Sequence, residues 1–307
     1  MLRFRGFGLI QLSVHVIFAL MSQTVDQKLH CISTLILSTW TSAQSSATGF
    51  FFQQLSPPNP ETENSAKGGW RKVEGIWLVT NRHVLIHEGQ LAASITFHHR
   101  KITANGFEWV PITVSGDDLK DRCSFHQDDG VDVAIVRVVD LLSKVMLPVT
   151  PNEKAMAYSA VSEEDFPGTG KLKVEVGDDV LVVGYPRGFY DDLVKFPIVK
   201  SGVIASFWGV PFGGKPFFLI DAKLFPGSSG SIVISKPVSF VIENKQIFEH
   251  TSGSKQFAFL GIFSGEPFRQ SRPIETDSFT IISKEGYNVG IVWYYHLVTD
   301  IIKNGKK

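Results

Sequence analysis

Three side chains in this 307-residue chain could together carry out nucleophilic chemistry: a serine, a histidine and an aspartate, each at the junction of an apolar run and a turn. The serine lies in Phe225-Pro226-Gly227-Ser228-Ser229-Gly230-Ser231, between the apolar runs Phe217–Ile220 and Ile232–Ile234. Gly, Pro and Ser are also the residues of an ordinary turn, so the stretch alone reads either way. A serine hydroxyl is nearly inert at neutral pH, and Ser229 as a nucleophile needs a base to take its proton. It also needs a carboxylate to orient that base and N–H donors to hold an oxyanion. Among nine histidines, His83 in "WLVTNRHVL" directly follows an apolar strand, whose end can project a side chain into a cleft. Asp132 in "GVDVAIVRV" leads into a β-branched run, although Asp is depleted in strands. Burial there demands a hydrogen-bond partner, and the N–H of an imidazole is a suitable one. Asp128 and Asp129, in "HQDDG", read instead as turn residues before that strand.

The elements that must position these groups are strands. Short runs rich in Val, Ile, Phe and Trp recur, among them Gly49–Phe52, Ile76–Thr80, Phe107–Thr113, Val131–Val138, Val180–Gly184, Ile198–Ser206 and Phe257–Phe263. Gly, Pro, Asn and Asp clusters separate them, which indicates an all-β sandwich or barrel. A helical period is expected only at the end, over Tyr295–Ile302. Pro57–Gly69 reads as a long surface loop, and 146–174 as a connector between two halves of similar size, 25–145 and 175–303. Hydrophobic residues make up 43% of the chain, and Lys+Arg equals Asp+Glu at 30 each. No excess positive charge exists to neutralise a phosphate backbone, which argues against nucleic acid as a partner. The two cysteines are too few for a disulfide framework or a thiolate zinc site. Residues 1–24 are an N-terminal extension or a signal segment. Arg3 and Arg5 precede an apolar run as in a signal peptide, but Gln11, Ser13 and His15 interrupt it and no small-x-small cleavage site follows. The run is also short for a membrane span, so stable membrane insertion is not expected. Met21 is an alternative start; the cytoplasm is the favoured compartment, with the periplasm or exterior if residues 1–22 direct export.

The order His83, Asp132, Ser229 is that of the chymotrypsin arrangement, not of subtilisin or the α/β-hydrolases. Seven motifs run in a matching order: "TGFFF" (Thr48–Phe52), "LVTNRHV" (Leu78–Val84), "DVAIVRV" (Asp132–Val138), "VLVVGYPRG" (Val180–Gly188), "SGVIAS" (Ser201–Ser206), "PGSSGSIV" (Pro226–Val233) and "FLGIFSG" (Phe259–Gly265). With them the chain resembles the chymotrypsin-like serine proteases, in particular the bacterial trypsin-like branch with the HtrA and glutamyl endopeptidase catalytic domains. The resemblance implies two antiparallel six-stranded β-barrels and a short C-terminal helix, with His83 and Asp132 on the first barrel and Ser229 on the second. It makes the middle serine of the G-x-S-G turn, Ser229, the nucleophile, with the backbone N–H groups of Gly227 and Ser229 as oxyanion donors. A serine endopeptidase acting through an acyl-enzyme on a protein or peptide substrate follows, with no metal and no cofactor.

Departures from the family pattern limit the specificity reading. No cysteines flank the histidine and the serine, and a catalytic domain without the peptide-binding domains of the HtrA proteins is expected. Lys223 stands six residues before Ser229, where relatives form the primary specificity pocket. Ser264-Gly265-Glu266 falls on the family's substrate-pairing strand, and Glu266 there suits a basic substrate residue or lies at a solvated rim. The competing class is a catalytically silent module of the same fold that binds a partner peptide. The S-x-x-K of Ser252–Lys255, the "GTGKL" of Gly168–Leu172 and the pair His98-His99 lack the companions or geometry of the sites they echo.

Overall fold

The computed structural model describes residues 25–57, 71–103, 106–146, 159–168, 172–191, 195–249, 255–270, 274–275, 280–281 and 284–307. The N-terminal extension 1–24, nearly all of the Pro57–Gly69 loop, much of the connector and Ser252–Ser254 lie outside the described residues.

Strands dominate, as expected. The first half holds β1 (Ser33–Thr39), β2 (Gln44–Leu55), β3 (Val73–Thr80), a small hairpin of β4 (Ile86–His87) and β5 (Gln90–Leu91), then β6 (Ser94–Thr103), β7 (Gly106–Ser115), β8 (Cys123–Phe125) and β9 (Ala134–Arg137). Its main sheet is antiparallel with the order β7-β6-β1-β2-β3-β9-β8. The second half holds β10 (Asp179–Gly184), β11 (Ile198–Ile204), β12 (Phe217–Asp221), β13 (Ile232–Ser235), β16 (Phe259–Gly265) and β21 (Gly290–Tyr294), which close into a six-stranded barrel. Small hairpins project between them: β14 (Phe240–Glu243) with β15 (Gln246–Glu249), β17 (Phe268–Gln270) with β20 (Lys284–Gly286), and β18 (Ile274–Glu275) with β19 (Thr280–Ile281).

The first half departs in detail from a six-stranded closed barrel. It has seven strands, and no ladder among the described residues joins β7 to β8. A helix occupies that junction, α3 (Gly116–Arg122), following α1 (Val25–Ile32) and the single turn α2 (Arg82–Leu85). Leu119 of α3 is fully buried in the core of the sheet, so a side chain fills the gap that a strand ladder would otherwise close. A fourth helix, α4 (Val139–Met146), follows β9, and α5 (His296–Asn304) ends the fold where terminal helicity was expected. The first four helices went unread in the sequence because each is short and their apolar faces span too few turns to show a period. No helix among the described residues is long and apolar enough to cross a membrane.

Three consecutive phenylalanines explain how the halves join. Side chains alternate across a strand, so Phe51 of β2 enters the core of the N-terminal sheet with Ile36, Leu78 and Phe97. Phe50 and Phe52 point the other way, into a second core with Ile232, Ile234, Phe259 and Trp293 of the barrel. All three are at most 2% exposed, and each such burial stabilises by roughly 2–3 kcal/mol. Val79 and Ile135 extend the same shared core, and α1 contributes Leu29 and Ile32 to it. A third core fills the barrel itself, around Val182, Phe218, Ile220 and Leu260.

Candidate active site

His83 sits one residue into α2, immediately after β3 ends at Thr80. Val84 and Leu85 anchor that turn in the core, which leaves the ring of His83 half exposed on the opposite side. Asp132 reaches it from the segment before β9, where Val131 and Val133 are buried and fix the chain on either side. The main-chain N–H of His83 donates to Asp132 Oδ1 at 2.9 Å, and the ring Nδ1 lies 2.7 Å from Asp132 Oδ2. Asn81 Nδ2 donates to the Asp132 carbonyl at 2.7 Å, locking the two segments together. A carboxylate only accepts, so the proton of a neutral ring belongs on Nδ1 and the lone pair on Nε2. Asp128 instead accepts the N–H of Gly130 in its own turn, and Asp129 pairs with Arg82 and Lys306.

Ser264, on β16, ties this pair to the serine. Its hydroxyl donates to Asp132 Oδ2 at 2.5 Å, and its carbonyl accepts the Ser229 hydroxyl at 2.9 Å. One chain of hydrogen bonds therefore runs Ser229, Ser264, Asp132, His83. In this structure the Ser229 hydroxyl is turned to Ser264 and makes no hydrogen bond to the His83 ring.

The turn around Ser229 is accounted for group by group. Four successive carbonyls each have a donor: Pro226 from Arg187 N at 2.6 Å, Gly227 from Thr48 Oγ1 at 2.9 Å, Ser228 from Ser231 N at 2.9 Å and Ser229 from Thr48 N at 2.9 Å. Of the N–H groups, Ser228 donates to Phe225 and Gly230 to Phe263. Those of Gly227 and Ser229 meet no acceptor among the described residues. A trans peptide points its C=O and N–H in opposite directions, so pinning the carbonyls of 226 and 228 aims these two N–H groups away from the protein scaffold. Two glycines are required here. Gly227 has φ +88°, and a Cβ on it would lie 2.7 Å from Arg187 N; Gly230 has φ +83°, and its Cβ would lie 2.0 Å from the Thr48 carbonyl.

A cavity of about 730 Å³ opens beside Ser229, walled by Phe225, Phe263, Gly265, Val289 and Gly290, with Asp221, Lys223 and Glu266 as its charged groups. Lys223, Gly265 and Glu266 thus face one space with the serine. Ser264 is not part of this wall, because its side chain is spent on Asp132. The carboxylate of Glu266 accepts the N–H of Asn288 and lies against Gly286, where a Cβ would collide with it. No cluster of three or more potential metal-ligating side chains occurs among the described residues.

The linking role of Ser264 and the double contact of Thr48 were missed in the sequence. The only signals for them were position, Ser264 closing "FLGIFSG" and Thr48 opening "TGFFF".

Among solved structures, similar chains include the serine endoprotease from Yersinia pestis, 13% identical, with 91% of this chain and 65% of that one covered and a TM-score of 0.42. This chain thus spans slightly less than two thirds of that protein's length. The active form of the Rv3671c protease from M. tuberculosis is 17% identical over 94% of this chain and 88% of that one, with a TM-score of 0.41. Tobacco etch virus protease complexed with product is 11% identical over 92% and 82%, with a TM-score of 0.43. No curated protein matches the sequence. A model of the trypsin-like peptidase domain matches residues 65–240, a span that contains His83, Asp132 and Ser229, and the chain belongs to that family.

Proposed function

We propose that the chain is a serine endopeptidase in which Ser229 is the nucleophile, His83 the general base and Asp132 its orienting partner. The hydrogen-bonded chain from Ser229 through Ser264 and Asp132 to His83 carries this reading, together with the two N–H groups left unpaired beside the serine. In the first step the Ser229 hydroxyl rotates from the Ser264 carbonyl to Nε2 of His83, which takes its proton as Oγ bonds to the scissile carbonyl carbon. The negative charge moves to the carbonyl oxygen, which the N–H groups of Gly227 and Ser229 receive. Collapse of that intermediate expels the amine, which leaves with the proton from His83, and an acyl-Ser229 remains. Water then repeats the sequence and frees the acid. Asp132 stays ionised throughout and stabilises the imidazolium through the 2.7 Å contact.

The substrate is a protein or peptide chain. The side chain preceding the scissile bond enters the cavity beside Ser229, against Lys223, Gly265 and Glu266. The two halves, 25–145 and 175–303, act as one unit, each supplying part of the site. A fluorophosphonate probe tests the assignment: the purified protein labels at Ser229, and Ser229→Ala loses both labelling and about 10⁶ of the turnover rate. Turnover that survives Ser229→Ala and dies in Ser228→Ala overturns the choice of nucleophile, and wild type that neither labels nor turns over leaves a protease-fold module that only binds peptide.

A further inference from the structure

We infer that Thr48 is a positioning residue for the oxyanion turn, holding from the opposite half of the molecule the peptides 227–228 and 229–230, which flank the one carrying the Ser229 N–H; the inference rests on the catalytic reading above. Thr48 belongs to β2 of the N-terminal sheet and is fully buried. It holds two of the four carbonyls in the turn, Gly227 through its hydroxyl and Ser229 through its main-chain N–H, both at 2.9 Å. The same hydroxyl accepts the N–H of Tyr185 at 2.9 Å, so its one proton is committed to Gly227. Thr48 is held in turn from behind, where Thr80 Oγ1 donates to its carbonyl at 2.8 Å.

The surroundings are shaped to this contact. A Cβ on Gly184 would stand 2.8 Å from the Thr48 hydroxyl and 2.0 Å from that of Ser231, so only glycine lets β10 pass at that distance. Tyr185 leads into the turn whose Arg187, at φ +54°, donates to the Pro226 carbonyl. Thr48 therefore sets the plane of the Gly227–Ser228 peptide directly, and through Tyr185 it supports the segment that sets the plane before it. With the hydroxyl removed, the Tyr185 N–H is left buried and unpaired and the Gly227 carbonyl loses its donor, so the turn has reason to rotate. Rotation carries the oxyanion donors out of line, while Asp221, Lys223, Gly265 and Glu266 of the cavity wall lie outside the turn.

Thr48→Val, Thr48→Ser and Thr80→Val are compared with wild type on one fluorogenic peptide chosen by profiling wild-type cleavage, with thermal unfolding monitored in parallel. Thr48→Val lowers kcat by about 10²–10³, the loss expected for an oxyanion donor, with KM within a few-fold of wild type. Thr48→Ser, which keeps the hydroxyl, stays within about tenfold of wild type, and Thr80→Val loses about tenfold in kcat. A folded Thr48→Val or Thr80→Val with wild-type kcat overturns the inference, as does an equal loss in Thr48→Ser. If Thr48→Val does not fold, the other two variants decide. Ser229→Ala run alongside separates the failures: wild-type turnover that does not depend on Ser229 sinks the catalytic reading and this inference with it, whereas Ser229-dependent turnover indifferent to the Thr48 hydroxyl sinks this inference alone.

Discussion

Asp132 has both carboxylate oxygens engaged, Oδ1 by the main chain of His83 and Oδ2 by the ring and the Ser264 hydroxyl. Asp132→Asn replaces one acceptor by a donor and favours the wrong ring tautomer, so kcat falls by about 10⁴ while the fold persists. Steady-state kinetics together with far-UV circular dichroism check both halves of that statement. Among the described residues Lys223 is the one cation on the cavity wall, which it shares with Asp221 and Glu266. Lys223→Glu makes every charged wall group a carboxylate, and the ratio of cleavage after basic to cleavage after acidic residues rises by about tenfold or more. Profiling a peptide library with both proteins reads this ratio, and an unchanged ratio shows that the cavity does not receive that side chain. His83, Asp132 and Ser229 stood out as candidates because the chemistry demands those residue types near turns and the chain orders them, and the fold brings His83 against Asp132 and Ser229 against Ser264. Ser264 and Thr48 did not stand out. A serine or threonine in a strand reads as an ordinary strand residue, and their roles appear only once strand register brings distant segments together.

At the scale of the elements, β6 carries an acid-sensitive feature. His99 is 2% exposed, and its Nε2 has no hydrogen-bond partner among the described residues. Burial first, and then the neighbouring Arg100 guanidinium, push its pKa down to about 4. The unfolded chain takes up that proton near pH 6.5 and the folded chain only near 4, so this stability is complete above 6.5 and is lost as the pH falls toward 4. The loss is about 3 kcal/mol. Urea midpoints measured between pH 7.5 and 4 should fall accordingly, and His99→Leu should flatten part of the slope; parallel slopes for the two proteins contradict the assignment. Strand content was readable along much of the chain because β-branched and aromatic runs alternate with turn residues. The run Ser33–Thr39 was passed over although it became β1, and the expected strand over 131–138 pairs only at Ala134–Arg137. Val131 and Val133 look like strand residues because they are buried, but they serve to hold Asp132 in place.

At the scale of the whole molecule, the second core takes Phe50, Phe52, Val79 and Ile135 from one half and Ile232, Ile234, Phe259 and Trp293 from the other. Halves that share a core do not unfold independently. Calorimetry should therefore show one transition with equal calorimetric and van't Hoff enthalpies, and two resolved transitions would contradict the shared core. The core that Phe50 and Phe52 share with the barrel was not legible in the sequence, since it depends on which face of β2 meets the barrel.

The last residues of the fold return to the first half. Lys306 exchanges two main-chain hydrogen bonds with Phe125, at 2.8 and 2.9 Å, and its side chain reaches Asp129, while Asp300 of α5 pairs with His126. These contacts fasten 125–130, the stretch that leads into Asp132. Ending the chain at Asn304 removes the two main-chain bonds, at about 2 kcal/mol of stability, which a chemical denaturation curve measures. The strap also makes the order of assembly matter: the segment before Asp132 is fastened only once α5 has packed against it, so a first half folded alone leaves that segment untied.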